Sequence, residues 1–74
     1  MDIKIIIKID DLIKRGATGS PSRLGELLGL SERTTYNYLK FMKEELQAPI
    51  KFSKQRGAYA YTQQGGFNFK WENL

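Results

Sequence analysis

Over the first fifteen residues, isoleucine and leucine stand at positions 3, 5, 6, 7, 9, 12 and 13, and charged residues fill most of the other places. Ile6, Ile9 and Ile13 fall at helical spacing, as do Ile5, Ile9 and Leu12. β-Branched residues favour strands, so a strand over residues 2–7 is the alternative. Strict alternation fails at Ile6, and a run of this length exceeds an ordinary strand. The pattern predicts a helix over about 3–15 with a wide apolar face. Gly16 ends it, with Lys14 and Arg15 in the last turn, where cations suit the carbonyl-rich helix end.

Ala17-Thr18-Gly19 is a connector. Ser20-Pro21 opens a second helix over about 21–28, because a serine hydroxyl accepts from the free first-turn amides and proline has no amide to leave unpaired. Leu24, Leu27 and Leu28 form its apolar stripe, and Gly29 stops it in a left-handed conformation. Leu30 follows, and Ser31 caps a third helix over about 32–46. Thr35, Tyr38, Leu39, Met42 and Leu46 make its buried stripe, while Arg33, Tyr36, Asn37 and Lys40 lie on the other side. Lys43, Glu44 and Glu45 continue the polar surface, and Ala48-Pro49 ends the helix.

A hairpin is expected over 50–62. Ile50 and Phe52 alternate with Lys51 and Ser53, and Tyr59 and Tyr61 with Ala58 and Ala60, around the turn Lys54-Gln55-Arg56-Gly57. The extension 63–74 has Gly65-Gly66 and then Phe67, Phe69 and Trp71 at period two, which suggests a short third strand or an extended segment with one apolar face. Those aromatics either cover the small core or form a dimer contact. The chain thus reads as a single domain, mainly α with small β.

Composition narrows the chemistry. A 74-residue chain buries only ~60–65% of its unfolded surface, so its stability is marginal without help such as a partner protomer. It has no cysteine and no histidine, which excludes disulfides, zinc fingers, haem attachment, Cys/His nucleophiles and Ser-His-Asp triads. Asp10 and Asp11 are adjacent on a helix and diverge, so no enzyme activity, metal or cofactor is expected. The longest apolar run, Ile5-Ile6-Ile7, is too short for a membrane span or a signal-peptide core, so a cytoplasmic protein is expected. Twelve basic against eight acidic residues leave a net charge of +4, which suits an anionic partner or simply a solvated surface. Residues 38–74 carry +3 of it, and five of their six cations lie between Lys40 and Arg56.

The informative stretch is 21–40, where a short and a longer helix meet at the turn Gly29-Leu30-Ser31. That is a helix-turn-helix pattern. Gly25 is small where the two helices must cross, and Leu24, Leu28, Leu30, Thr35 and Tyr38 take the positions the motif buries, with Thr35 standing where a larger aliphatic residue is usual. A helix fits the DNA major groove, so Arg33, Tyr36, Asn37 and Lys40 are the candidate reading residues. Arginine pairs bidentately with guanine and asparagine with adenine, Tyr36 suits a thymine methyl or a phosphate, and Lys40 suits a phosphate. Ser22, Arg23, Ser31 and Thr34 lie near helix N-termini and are candidate phosphate anchors.

The stretch Leu24-Gly25-Glu26-Leu27-Leu28-Gly29-Leu30-Ser31-Glu32-Arg33-Thr34-Thr35-Tyr36 resembles the winged helix-turn-helix of bacterial DeoR-like and WYL-domain transcription regulators. Ala48 to Phe52 and Arg56 to Thr62 resemble the wing of the same regulators, so the likeness spans about residues 3–69. It implies a three-helix core with a C-terminal β-hairpin wing and recognition of double-stranded DNA by 32–40 and by the wing tip Lys54, Gln55 and Arg56. Those regulators commonly carry a basic residue where this chain has Asn37 and an acidic one where it has Tyr38, so their base preferences do not carry over. They usually continue into a ligand-sensing domain, and no small-molecule effector is expected for these 74 residues.

Three other partners fit parts of the pattern. A winged helix also serves as a protein-docking module, with a homodimer or a larger protein as partner, and RNA is a further candidate. Tyr59 and Tyr61 at period two fit sheet packing, with a base-stacking platform for single strands as the alternative.

Overall fold

The computed structural model describes residues 1–68 and 70–73. Three helices come first: α1 (Ile3–Lys14), α2 (Pro21–Leu28) and α3 (Glu32–Glu44). Two hairpins follow, β1 (Ile50–Ser53) with β2 (Ala58–Tyr61), and β3 (Gly65–Asn68) with β4 (Lys70–Asn73). Both are antiparallel and two-stranded, pairing Phe52 with Tyr59 in the first and Phe67 with Trp71 in the second.

The isoleucine-rich start is helical, not a strand. Asp2 caps α1 by accepting from the Lys4 amide at 2.9 Å, and its own amide donates to the Tyr38 hydroxyl at 3.0 Å, tying α1 to α3. Ile6, Ile9, Leu12 and Ile13 are buried, so the apolar face outweighs the strand preference of its residues. α1 stops one residue earlier than expected. Gly16 takes φ 65°, and the Gly16 and Ala17 amides close back on Ile13 and Leu12.

α3 ends at Glu44, two residues short of the expected 46. Gln47 adopts a left-handed φ of 59° and the Ala48 amide returns to the Met42 carbonyl at 2.9 Å, so the chain reverses before Pro49 acts. The core joins Ile9, Leu24, Leu39 and Met42, all nearly solvent-free, with Ile50, Tyr59 and Trp71. Of the expected stripe of α3, Thr35, Tyr38, Leu39 and Met42 are buried and Leu46 is half-buried.

The first hairpin breaks the expected in-and-out alternation. Ala58 and Tyr59 are both buried while Phe52 is 39% exposed. β2 has α1 against it, and its Tyr59 amide donates 2.8 Å to the hydroxyl of Thr18, a residue with no solvent exposure in the α1–α2 connector. Burial thus reaches both sides of the strand.

The extension is a second hairpin, not a single strand. Trp71 is buried, its amide donates to the Leu46 carbonyl at 2.6 Å, and its ring meets those of Tyr61 and Phe67 at centroid distances of 4.2 and 5.4 Å. Trp71 therefore covers the core and is not a free dimer contact. Phe69 lies outside the described residues. No helix among the described residues is long and apolar enough to cross a membrane.

Candidate nucleic-acid interface

The pair α2–α3 is set by caps and one close crossing. Ser20 accepts from the Arg23 amide at 3.1 Å and Pro21 opens α2. Gly29 turns left-handed at φ 68°, and the Leu30 amide bonds to the Gly25 carbonyl at 2.9 Å. Gly25 is needed for its size: a Cβ there would stand 3.0 Å from the Leu30 carbonyl oxygen and 3.3 Å from Thr35 Oγ1. Thr35 is buried, and its hydroxyl donates to the Ser31 carbonyl at 2.8 Å. A threonine thus fits where a longer aliphatic chain is usual, because α2 approaches so closely.

Arg33, Tyr36, Asn37 and Lys40 are all exposed on the outer face of α3. Tyr36, Asn37 and Lys40 share a groove of about 300 Å³ between α3 and β2, which Lys43, Glu44 and Tyr59 also line. Arg33 lies nearer the helix start and does not line it. Lys40 sits 4.0 Å from Glu44, an exposed pair that salt screens and that holds the ammonium weakly. No ion pair among the described residues involves Arg33, Lys54 or Arg56.

The phosphate-anchor candidates divide. Ser22 and Arg23 are exposed in the first turn of α2, with Arg23 3.6 Å from Glu26. Ser31 and Thr34 are engaged with each other: the Ser31 hydroxyl accepts the Thr34 amide at 3.1 Å and donates to the Thr34 hydroxyl at 2.9 Å.

Lys54, Gln55 and Arg56 are exposed in the β1–β2 turn, where Gly57 takes φ 63° and the Arg56 amide donates to Ser53 Oγ at 3.2 Å. Arg56 lines a separate, polar hollow with Lys14, Tyr61 and Gln64, beside the end of α1. Arg56 therefore borders a different hollow from the one that Tyr36, Asn37 and Lys40 line.

The tyrosines of β2 are packing residues. Tyr59 is 5% exposed, edge-on to Phe52 at a 5.2 Å centroid distance. Burial pushes its phenol up to about 12, helped by the neighbouring Tyr36 phenol and by Glu32. Tyr61 is half-buried; burial, then the bond and charge of Asp10, raise its phenol, which donates to Asp10 Oδ1 at 2.6 Å. Neither ring is a free stacking platform. Lys43 and Tyr59 border the groove unforeseen. The spacing of Lys43 from Tyr36 and Lys40 could have revealed the first, whereas no local signal marks the second.

Among the described residues no group of three or more His, Cys, Asp or Glu side chains could hold a metal ion. No protein-family model, no curated protein and no solved structure matches the chain.

Proposed function

We propose that the chain is a winged helix-turn-helix that binds double-stranded DNA, and that it acts in the bacterial cytoplasm as a transcription regulator. The observation that carries this reading is the glycine crossing of α2 and α3, which holds α3 with Arg33, Tyr36, Asn37 and Lys40 outward. A helix presented this way enters the major groove, and those side chains reach base edges. Ser22 and Arg23 at the start of α2 and Lys54, Gln55 and Arg56 in the β1–β2 turn supply phosphate contacts. The likeness of residues 24–36, 48–52 and 56–62 to DeoR-like and WYL-domain regulators supports the same assignment. The mechanism is occupancy: phosphates set affinity and the outer face of α3 sets the site.

The test is selection of bound sequences from a random duplex library, followed by anisotropy titrations against salt. An enriched motif is expected, with affinity falling steeply as salt rises, because released cations drive binding. Arg33→Ala and Asn37→Ala should each cost ~1–3 kcal/mol on the selected site, the worth of one bidentate base pairing. Absence of duplex binding at low salt sinks the reading.

The second reading, a protein-docking module, is supported by the acids among the cations of α3 and its C-cap: Glu32, Glu44 and the capping Glu45, with Lys40 held near Glu44. A protein partner retained after nuclease treatment and high salt favours it. Preferential competition by structured RNA over duplex DNA would instead assign RNA.

A further inference from the structure

The outward edge of α1 carries apolar side chains that the described residues leave uncovered. Met1, Ile3 and Ile7 are 63%, 62% and 60% exposed. Ile3 and Ile7, with Ile6, Phe41, Leu46 and Phe67, line a mostly apolar groove of about 300 Å³. Its one carboxylate, Asp10, is already engaged by Lys14 at 3.1 Å and by the Tyr61 hydroxyl at 2.6 Å. Isoleucine on an exposed helix face lacks the propensity of alanine or lysine, and among the described residues little covers Ile3 and Ile7.

We infer that this face joins two copies of the chain, with their α1 helices antiparallel. The charges beside it select both the partner and the direction. Lys4 and Asp11 are exposed and seven residues apart, hence two turns apart on the same side of α1. A twofold axis midway between Ile7 and Lys8 brings the two Ile7 side chains to within about 1.5 Å of one level along the helices and turns the two apolar grooves toward each other. The same axis sets Lys4 of each copy against Asp11 of the other, so both ion pairs form at once. Parallel packing would set Lys4 against Lys4 and Asp11 against Asp11. Asp11 also holds Arg15 at 2.5 Å through Oδ2, which leaves Oδ1 for the second cation. None of these residues is assigned to DNA, so dimerisation and DNA binding stand or fall separately.

The test is sedimentation velocity on the full chain from about 1 μM to about 1 mM, a range that brackets weak association. A monomer–dimer equilibrium is expected for the parent. Ile7→Asp should abolish it while far-ultraviolet circular dichroism stays helical. Lys4→Glu and Asp11→Lys should each weaken it about tenfold, by losing attraction and adding like-charge repulsion. Mixing the two variants, or combining both changes in one chain, should restore it, since the glutamate introduced at position 4 then faces a lysine. A parent that stays monomeric throughout overturns the inference. So do single reversals that dimerise like the parent, or a mixture that fails to recover.

Discussion

Replacing Thr18 by valine tests what joins the β1–β2 hairpin to the helices. Valine has nearly the same shape, so the exchange removes a hydroxyl and adds little strain. That hydroxyl accepts the Tyr59 amide at 2.8 Å in a site with no solvent exposure, across 41 residues of sequence. In Thr18→Val the Tyr59 N–H stays buried without a partner, a desolvation cost of ~1–3 kcal/mol. A domain of this length has about 4–11 kcal/mol in total, so the loss is a large share. With a urea slope of roughly 1 kcal/mol per molar, the midpoint should fall by about 1–3 M. Thr18→Ser keeps the acceptor and loses only a methyl, so it should retain the bond from Tyr59. Hydrogen exchange separates the two causes: the Tyr59 amide should lose protection in Thr18→Val and keep it in Thr18→Ser. If Thr18→Val unfolds within about 0.5 kcal/mol of the parent, within the range of an inert surface change, and Tyr59 stays protected, the reasoning is wrong.

Other substitutions probe the remaining joints. Gly25→Ala gains ~1 kcal/mol of helix propensity but crowds the Leu30 carbonyl and Thr35 at ~1–3 kcal/mol of overpacking; a net loss is expected in urea denaturation, and a stabilised variant would refute the close crossing. Trp71→Ala should cost ~3–5 kcal/mol because a buried ring packed against Tyr61 and Phe67 leaves the core; a thermal melt near that of the parent would show that β3–β4 does not support the fold. Alkali should also destabilise the chain. Tyr59 ionises at about 12 when folded against an ordinary 10.0, and Tyr61 is raised too. The unfolded chain therefore loses these protons first. The Tyr59 stabilisation is complete below about pH 10 and is lost as pH rises through about 12. Denaturation midpoints that hold steady from about pH 9 to 12 would contradict the burial of both phenols.

Much of the helical part is local and therefore readable along the chain. Ser20-Pro21, Gly29 and Ser31 act on amides and carbonyls within a few residues of themselves, so the bounds of α2 and the start of α3 fall where those residues place them. Arg33, Tyr36, Asn37 and Lys40 share a helical period, so their common exposed face follows from spacing alone. The turn of Lys54, Gln55, Arg56 and Gly57 is equally local, because a glycine at positive φ is what such a reversal requires.

The rest depended on residues far apart in the chain. Isoleucine prefers strands, yet Ile6, Ile9 and Ile13 become helical because α1 gains burial against the other elements. Phe67 and Trp71 alternate like one strand, but the chain folds back so that their rings meet 5.4 Å apart, across the pairing of a hairpin. Nothing near Thr18 announces Tyr59 as its partner, and nothing near Arg56 announces that it lies beside Lys14 and not beside the groove of α3. By itself, the sequence determined the helix caps, the turns and the faces, because those energies act within one or two turns of chain. Only the tertiary structure decided which strand met which helix, which aromatics were covered and which edge of α1 the described residues left bare, because burial is shared among segments that meet only once the chain has folded.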